Sequence, residues 1–284
     1  IFPKKSSISP SPYFLIILVD ARHLDYSDGC CLLRTLVKHP NGGSKNSDVG
    51  HAWIYLQGII DGNSVVLEGG HSGELGIYQP RYFEGIMNYF EYGYANPISL
   101  QRQCPGYEPD PVKYLWEVQK DGFFQKGSGG HCPTFAVKFH ISESQFMNIL
   151  RFIEAYDFSQ FSLVGNQCCT FAAQIAELGG IALSHTITVP IQQKISMGRD
   201  CITLWNDSAY SAITLSSPDI LEKSLIETVQ AGNGEYALEW YKTLGYTSKC
   251  LRCRIKKMSE TLSHFPSRYR RALLFRCIQC TEVR

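Results

Sequence analysis

The chain has 284 residues, of which 44% are hydrophobic and 19% are charged, and this composition excludes global disorder. Its formal net charge of +1 argues against binding to nucleic acid through the charge of the whole chain. The eleven cysteines are an odd number, and they leave both an oxidising and a reducing compartment open.

The N-terminal part of the chain is predicted to supply strands. The stretch "YFLIILV" at 13–19 is far shorter than the roughly 20 residues that span a bilayer, and it is predicted to be a buried strand. In "GHAWIYLQG" at 50–58, small or aliphatic residues alternate with His51 and aromatic side chains, which is typical of a strand with two different faces. An Asp-Gly-Asn turn leads into a second strand that reaches about Gly70, so we expect an antiparallel hairpin.

Helices follow one more predicted strand, "TFAVKFHI" at 134–141. Ser142 and Gln145 form a capping-box pattern that indicates the start of a helix. Four apolar residues repeat behind it at helical spacing: Phe146, Ile149, Leu150 and Ile153. A second helix is predicted from Cys168 to a stop at Gly179-Gly180. Strands followed by helices that pack on them indicate an α+β fold.

The composition changes after about residue 216, and we place a domain boundary there. The main domain is predicted to cover residues 1–215, and a helical, basic and cysteine-rich extension is predicted to cover 216–284. The first helix of the extension has a serine N-cap and Pro218 at its first helical position. A second helix is expected in "EYALEWYKTLG" at 235–245.

A cysteine and a histidine form the main candidate site. Catalysis by a thiol requires a thiolate, an imidazole within hydrogen-bonding distance and a third polar group that orients the imidazole. A cysteine at a helix start benefits from the positive end of the helix dipole, and the free N–H groups there can bind an oxyanion. The sequence supplies Cys168 and Cys169 at a helix start and His51 on a strand. We choose Cys168 because it shares a helical face with the large apolar residues that should pack on the sheet, whereas Cys169 shares a face with alanines.

Three segments carry a resemblance to a known family. In this order, "VGHAWIYLQG", "EGGHSGELG" and "GNQCCTFAAQIAELGGI" resemble the circularly permuted branch of the NlpC-type papain-fold cysteine hydrolases. That branch includes lecithin:retinol acyltransferase-like proteins and several bacterial envelope or effector families. The resemblance covers about residues 45–185. It implies a papain-like core in which the histidine strand precedes the cysteine helix and an antiparallel sheet packs on that helix.

The resemblance also implies residues around the cysteine. The cysteine element of the family commonly reads Asn-Cys-x-x-Phe. In this chain Gln167 directly precedes Cys168, and Asn166 stands one position further back. Gln167 and Asn166 are therefore the candidates for supporting the oxyanion pocket.

A third catalytic residue is implied on the strand after the histidine strand, where the family places a polar side chain. The candidates in this sequence are His71, Glu68 and Glu74. We favour His71, a neutral ring that can hydrogen-bond to the imidazole of His51. Glu68 is the alternative, because it lies on the predicted strand itself and carries a charge.

These residues predict a thiol-dependent hydrolase or acyltransferase. Cys168 would attack an amide or ester bond of a peptide or a lipid acyl group, with His51 as base and then acid. The chemistry requires no metal or organic cofactor, and nucleic acid is not expected as a partner. The resemblance favours a bacterial envelope or secreted location. The alternative is a non-catalytic binding module of the same fold, whose basic tail contacts a protein or the surface of a membrane.

Two Cys-x-x-Cys pairs in the extension leave several interpretations open. The four residues are Cys250, Cys253, Cys277 and Cys280. They could hold zinc through four thiolates, but the surrounding sequence is helix-like and lacks the turn residues of zinc knuckles. Disulfides and unpaired thiols are the other interpretations. The same region has nine Lys or Arg residues and one Glu between positions 249 and 276, which indicates a solvated helical face or a contact with anionic lipid or an acidic partner.

The glycine-rich segment "GSGGHCP" at 127–133 is not expected to bind a nucleotide. It lacks the lysine and the Ser/Thr of a phosphate-binding loop. His131 and Cys132 are adjacent, and adjacent side chains of an extended chain point to opposite sides, so they are not expected to form a catalytic pair.

Overall fold

The structure is a computed structural model that describes residues 11–36, 49–73, 110–116, 122–162, 164–197 and 200–244. Within these residues, no helix is both long and apolar enough to cross a membrane. Glu74 and the four cysteines of the two Cys-x-x-Cys pairs lie outside the described residues, as does the basic segment from 249 to 276.

A six-stranded antiparallel sheet forms the centre of the fold, in the strand order β10-β5-β1-β2-β3-β4. Its strands are β1 (Phe14–Asp20), β2 (His51–Ile60), β3 (Asn63–Ser72), β4 (Phe123–Lys126), β5 (Phe135–His140) and β10 (Glu235–Tyr236). The predicted buried strand at 13–19 is confirmed as β1, which is buried at every residue because it lies in the middle of the sheet and is covered on both faces. Such burial explains its continuous apolar sequence.

The predicted hairpin is confirmed as β2 and β3. Asp61 and Gly62 connect the strands with positive φ angles of 51° and 78°, which is the backbone of a type I′ turn. Alternation along β2 sends Ala52, Ile54 and Leu56 into the larger core cluster. It sends the aromatic rings of β2 into a second cluster on the opposite face of the sheet.

Five helices are described: α1 (Gly29–Leu36), α2 (Glu143–Ala155), α3 (Cys168–Leu178), α4 (Pro218–Gln230) and α5 (Leu238–Thr243). The predicted capping box is confirmed at the start of α2, where the Ser142 hydroxyl accepts the Gln145 N–H and the Gln145 side chain accepts the Ser142 N–H. Helices α2, α3 and α4 contribute to the same core cluster as the aliphatic face of β2, whereas α5 contributes to the cluster on the other face. Strands and helices arranged in this way confirm the predicted α+β class.

Two small strand pairs follow α3, and the sequence analysis did not predict them. They are β6 (Thr186–Pro190) with β9 (Ala212–Ser216), and β7 (Lys194–Met197) with β8 (Asp200–Thr203). A third apolar cluster lies here and includes residues from β6, β9 and the short 3-10 turn Pro111–Trp116. Ser216 of β9 also accepts a hydrogen bond, through its carbonyl oxygen, from Gln167, the N-cap residue of α3.

The residues that follow the predicted boundary at 216 pack into the same unit as the main sheet. Helix α4 starts at the predicted Ser217 cap, and its Leu221 and Leu225 are fully buried in the larger core cluster. Strand β10 pairs with β5 at the edge of the sheet. Residues 217–244 therefore belong to the core, and the remainder of the predicted extension lies outside the described residues.

Candidate active site

Helix α3 begins at the predicted position, and the side chain of Gln167 caps it. Gln167 Oε1 accepts the N–H of Cys169 at 3.0 Å, and Gln167 Nε2 donates to the carbonyl oxygen of Ser216. The N–H groups of the first helical turn have no partner within the helix. Gln167 Oε1 also lies 3.2 Å from Cys168 Sγ, whose thiol can donate to it. Of the N–H groups in this first turn, Gln167 accepts that of Cys169, so the N–H groups of Cys168 and Thr170 remain the candidates for binding an oxyanion.

The two residues predicted to support an oxyanion pocket, Gln167 and Asn166, lie in different surroundings. Gln167 is 5% exposed, and both ends of its amide are engaged in holding the start of α3. Its contribution to an oxyanion pocket is indirect, through the position of the first turn. Asn166 is exposed, and its backbone exchanges hydrogen bonds with Ser162.

Cys168 and His51 are brought together, as the sequence analysis predicted. Cys168 is the first residue of α3 and His51 is the first residue of β2, and both side chains are buried. A hydrogen bond from the Cys169 thiol lowers the pKa of Cys168 well below its ordinary value. Hydrogen bonding and charge attraction from His51, and the N–H of Ala52, lower it further, against the opposing effect of burial.

Cys169 has the opposite electrostatic character. Its side chain is fully buried, and its sulfur lies 3.9 Å from that of Cys168. Burial raises the pKa of the Cys169 thiol well above its ordinary value, and the neighbouring Cys168 sulfur raises it further. The surroundings therefore favour the anion on Cys168 and the neutral thiol on Cys169, which can donate to it.

We expect Cys169→Ala to raise the pKa of Cys168, because the substitution removes the thiol that donates to the Cys168 thiolate. Loss of one charge-assisted hydrogen bond of about 1.5 kcal/mol corresponds to a rise of about one pKa unit. The pH dependence of Cys168 alkylation by iodoacetamide measures this rise. Cys132→Ala is the matched control, because Cys132 is an exposed free thiol. An unchanged pKa in Cys169→Ala would show that the Cys169 thiol does not stabilise the thiolate.

Two glycines lie near His51, Gly50 directly before it in the chain and Gly70 beside its ring. Gly50 has a φ of +91°, and a Cβ atom there would lie 2.2 Å from the carbonyl oxygen of Asp20. A Cβ atom at Gly70 would lie 2.8 Å from the carbonyl oxygen of Ala52 and 3.2 Å from His51 Nε2. The contacts with the two carbonyl oxygens are too short for an ordinary side chain, so the chain requires glycine at both positions.

The Nε2 atom of His51 is buried and has no hydrogen-bond partner among the described residues. Gly70 on β3 is the position that faces this atom, and it has no side chain to offer. The polar third group implied by the resemblance is therefore not found at the place where it could reach His51 Nε2.

His71 lies close to the pair but is bonded elsewhere. Its Nε2–H donates to the carbonyl oxygen of Phe158 at 2.9 Å, and its Nδ1 accepts from the Tyr156 hydroxyl at 3.2 Å. Burial lowers the pKa of His71 to about 4, so the ring is neutral near pH 7, as expected from the sequence. The predicted hydrogen bond from His71 to His51 is absent, because both ring nitrogens are already engaged.

Glu68, the alternative third residue, contacts a different part of the protein. Its carboxylate accepts a hydrogen bond from the hydroxyl of Tyr241 on α5. Tyr241 belongs to the apolar cluster on the face of the sheet opposite α3. The described hydrogen bond of Glu68 therefore ties α5 to β3, and it does not orient His51.

His131 lies beside His51, although the sequence suggested it only as a possible partner of Cys132. Its ring stacks on that of His51, with centroids 4.8 Å apart and an interplanar angle of 28°. The ring of Trp53 also stacks on His51 at 5.7 Å and 15°. The glycine run before His131 was a signal for this contact, because it predicts a tight turn that can return the chain to the sheet.

Among the described residues, no group of three or more His, Cys, Asp or Glu side chains is arranged to hold a metal ion. Comparison with models of known protein families returns no match, and neither the curated proteins nor the solved structures contain a match to this chain.

Proposed function

We propose that the protein is a thiol-dependent hydrolase or acyltransferase in which Cys168 is the nucleophile and His51 the general base and acid. The observation that carries the proposal is the lowered pKa of a buried cysteine at the first position of a helix, next to a hydrogen-bonding histidine. Burial alone would raise the pKa of a thiol, so the opposite shift reflects an arrangement that favours the reactive anion.

The geometry supports a two-step acyl transfer. The Cys168 thiolate adds to an acyl carbon, and the N–H groups of the first turn of α3 bind the oxyanion that forms. The intermediate collapses as protonated His51 gives its proton to the leaving nitrogen or oxygen, which produces an acyl-enzyme. His51 then takes a proton from water or from another acceptor, which attacks the thioester and releases Cys168.

The fold supports assigning this site to a papain-like core. The histidine strand comes before the cysteine helix in the chain, and the helix packs against the antiparallel sheet that contains this strand. That order corresponds to the circularly permuted arrangement implied by the sequence motifs. The proposed substrates are peptide or lipid-like acyl groups, and neither a cofactor nor a nucleic acid partner is required.

A panel of activated substrates tests the proposed function. The full chain is incubated with a p-nitrophenyl ester, a peptide p-nitroanilide and a phospholipid vesicle, and product release is followed together with the intact mass of the protein. We expect turnover of at least one substrate and an acyl adduct on Cys168, both lost in Cys168→Ala and retained in Cys132→Ala. Turnover that persists in Cys168→Ala would contradict the proposal.

The second candidate is a binding module that keeps this fold without catalysis. It is favoured because His51 Nε2 has no hydrogen-bond partner within the part of the chain that the structure describes, whereas thiol hydrolases orient the imidazole through a third polar group. Such a module would bind acyl substrates of the panel without converting them or forming an adduct on Cys168.

A further inference from the structure

The imidazole of His51 needs a group that holds it in place, and no side chain hydrogen-bonds to its Nε2 among the described residues. A histidine side chain rotates about two bonds, and a general base is effective only when its nitrogen stays within reach of its partner. Some other contact must therefore fix the ring that lies next to Cys168.

We propose that His131, anchored by Asp20, is a positioning residue that fixes the catalytic imidazole of His51 by ring stacking. This inference rests on the proposed function, because it assigns a role in the same site. It replaces the hydrogen-bonding third residue expected from the sequence by a stacked pair of imidazole rings.

Asp20 holds the His131 ring through a hydrogen bond. The Nδ1–H of His131 donates to Asp20 Oδ2 at 2.8 Å, and the Asp20 side chain is only 3% exposed. Arg22 contacts both oxygens of the same carboxylate, at 3.1 Å and 3.0 Å. A buried carboxylate with a bidentate arginine is fixed in orientation, so it fixes the histidine that bonds to it.

The backbone around His131 is also fixed to the strand that carries Asp20. The His131 N–H donates to the Ser128 carbonyl oxygen at 3.0 Å, in a turn in which Gly129 and Gly130 have φ angles of +61° and +92°. Three residues later, the Thr134 N–H donates to the carbonyl oxygen of Val19 at 2.8 Å. The segment therefore crosses the end of β1 with little freedom to move.

The strand register explains why this anchor lies beside His51. Asp20 is the last residue of β1, and its cross-strand partner in β2 is His51. The Asp20 carboxylate can therefore hold the His131 ring where it stacks on His51. The glycine-rich segment at 127–130 acquires a role in this way, since it delivers His131 to the position above His51.

The test measures the alkylation rate of Cys168 by iodoacetamide as a function of pH, in the full chain. Aromatic stacking is worth about 0.5–1.5 kcal/mol, so we expect His131→Ala to slow alkylation near neutral pH by about 2- to 10-fold. His131→Phe, which keeps a ring, should react faster than His131→Ala. His140→Ala is the matched control, because His140 is an exposed histidine that pairs with Glu235 at the sheet edge.

A double variant separates positioning from a direct effect of His131 on the thiolate. If His131 acts through His51, then His131→Ala should change nothing further in a His51→Ala background. The inference is overturned if His131→Ala matches the unsubstituted protein, if His131→Phe is as slow as His131→Ala, or if the slowing persists without His51. The proposed function fails separately, when His51→Ala itself leaves the reactivity of Cys168 unchanged.

Discussion

Replacement of His51 by alanine is expected to slow the alkylation of Cys168 at about pH 6 by roughly 10- to 100-fold, since each pKa unit changes the thiolate fraction tenfold. The substitution removes a hydrogen bond and a charge that favour the thiolate, and it leaves the burial that disfavours it. The pKa of Cys168 should therefore rise towards, or above, that of an ordinary cysteine. The rate constant for iodoacetamide, resolved by mass spectrometry at each cysteine, measures the effect.

The matched control for this substitution is His185→Ala. His185 is half-buried and bonds to the Ser216 hydroxyl at 3.0 Å, so its loss perturbs the neighbourhood of α3 without touching the thiolate. Its Cys168 reactivity should stay close to that of the unsubstituted protein. A His51→Ala variant that reacts as fast as the unsubstituted protein would show that His51 does not stabilise the Cys168 thiolate.

Replacement of Phe171 by alanine is expected to reduce the free energy of unfolding by about 3–5 kcal/mol. Phe171 is fully buried on α3, and its ring packs against those of Tyr156 and Phe158 with centroid distances of 5.2 Å in each case. The substitution would leave a cavity between α3 and this aromatic cluster. Chemical denaturation of the folded protein measures the loss.

Phe171→Leu is the control for the size of the cavity, and it should cost clearly less than Phe171→Ala. Because Phe158 and Tyr156 also hold both nitrogens of His71, the alanine variant should loosen the surroundings of that ring as well. A loss below about 1 kcal/mol in Phe171→Ala would show that this face of α3 does not pack as described.

The elements around the site were predictable from the sequence where a local signal specified them. The Ser142 capping box, the Asp61-Gly62 turn and the alternation along β2 each follow from the chemistry of a few neighbouring residues. The pairing of Cys168 with His51 was predictable for the same reason, since a helix start and a strand start could each be read from short motifs. The α+β class followed from these elements.

The support of the histidine could not be predicted, because it depends on strand register. The sequence shows polar residues on β3, but only the folded structure reveals that Gly70 is the position of β3 beside His51 Nε2. His71 is adjacent to Gly70 in the chain, and adjacent residues of a strand point to opposite faces. Its ring instead bonds to Phe158 and Tyr156, which follow it by more than eighty positions.

The contribution of His131 was missed for a related reason. In the sequence, His131 was considered only with its chain neighbour Cys132. Its ring contact is with His51, which lies eighty positions earlier in the chain. The position of α4 is a similar case. Its Ser217 cap was evident from the sequence, but the burial of Leu221 in the main core depends on contacts with distant strands.

We propose that Cys168 is a thiolate near neutral pH because His51 and Cys169 stabilise its charge. The most direct test is a pH titration of the alkylation rate at Cys168 in the unsubstituted protein, with the exposed Cys132 followed in the same samples. We predict that Cys168 titrates with a pKa clearly below the value of about 8.5 that is ordinary for a free cysteine. A Cys168 that titrates at or above that value, or that reacts no faster than Cys132 at low pH, would contradict the account.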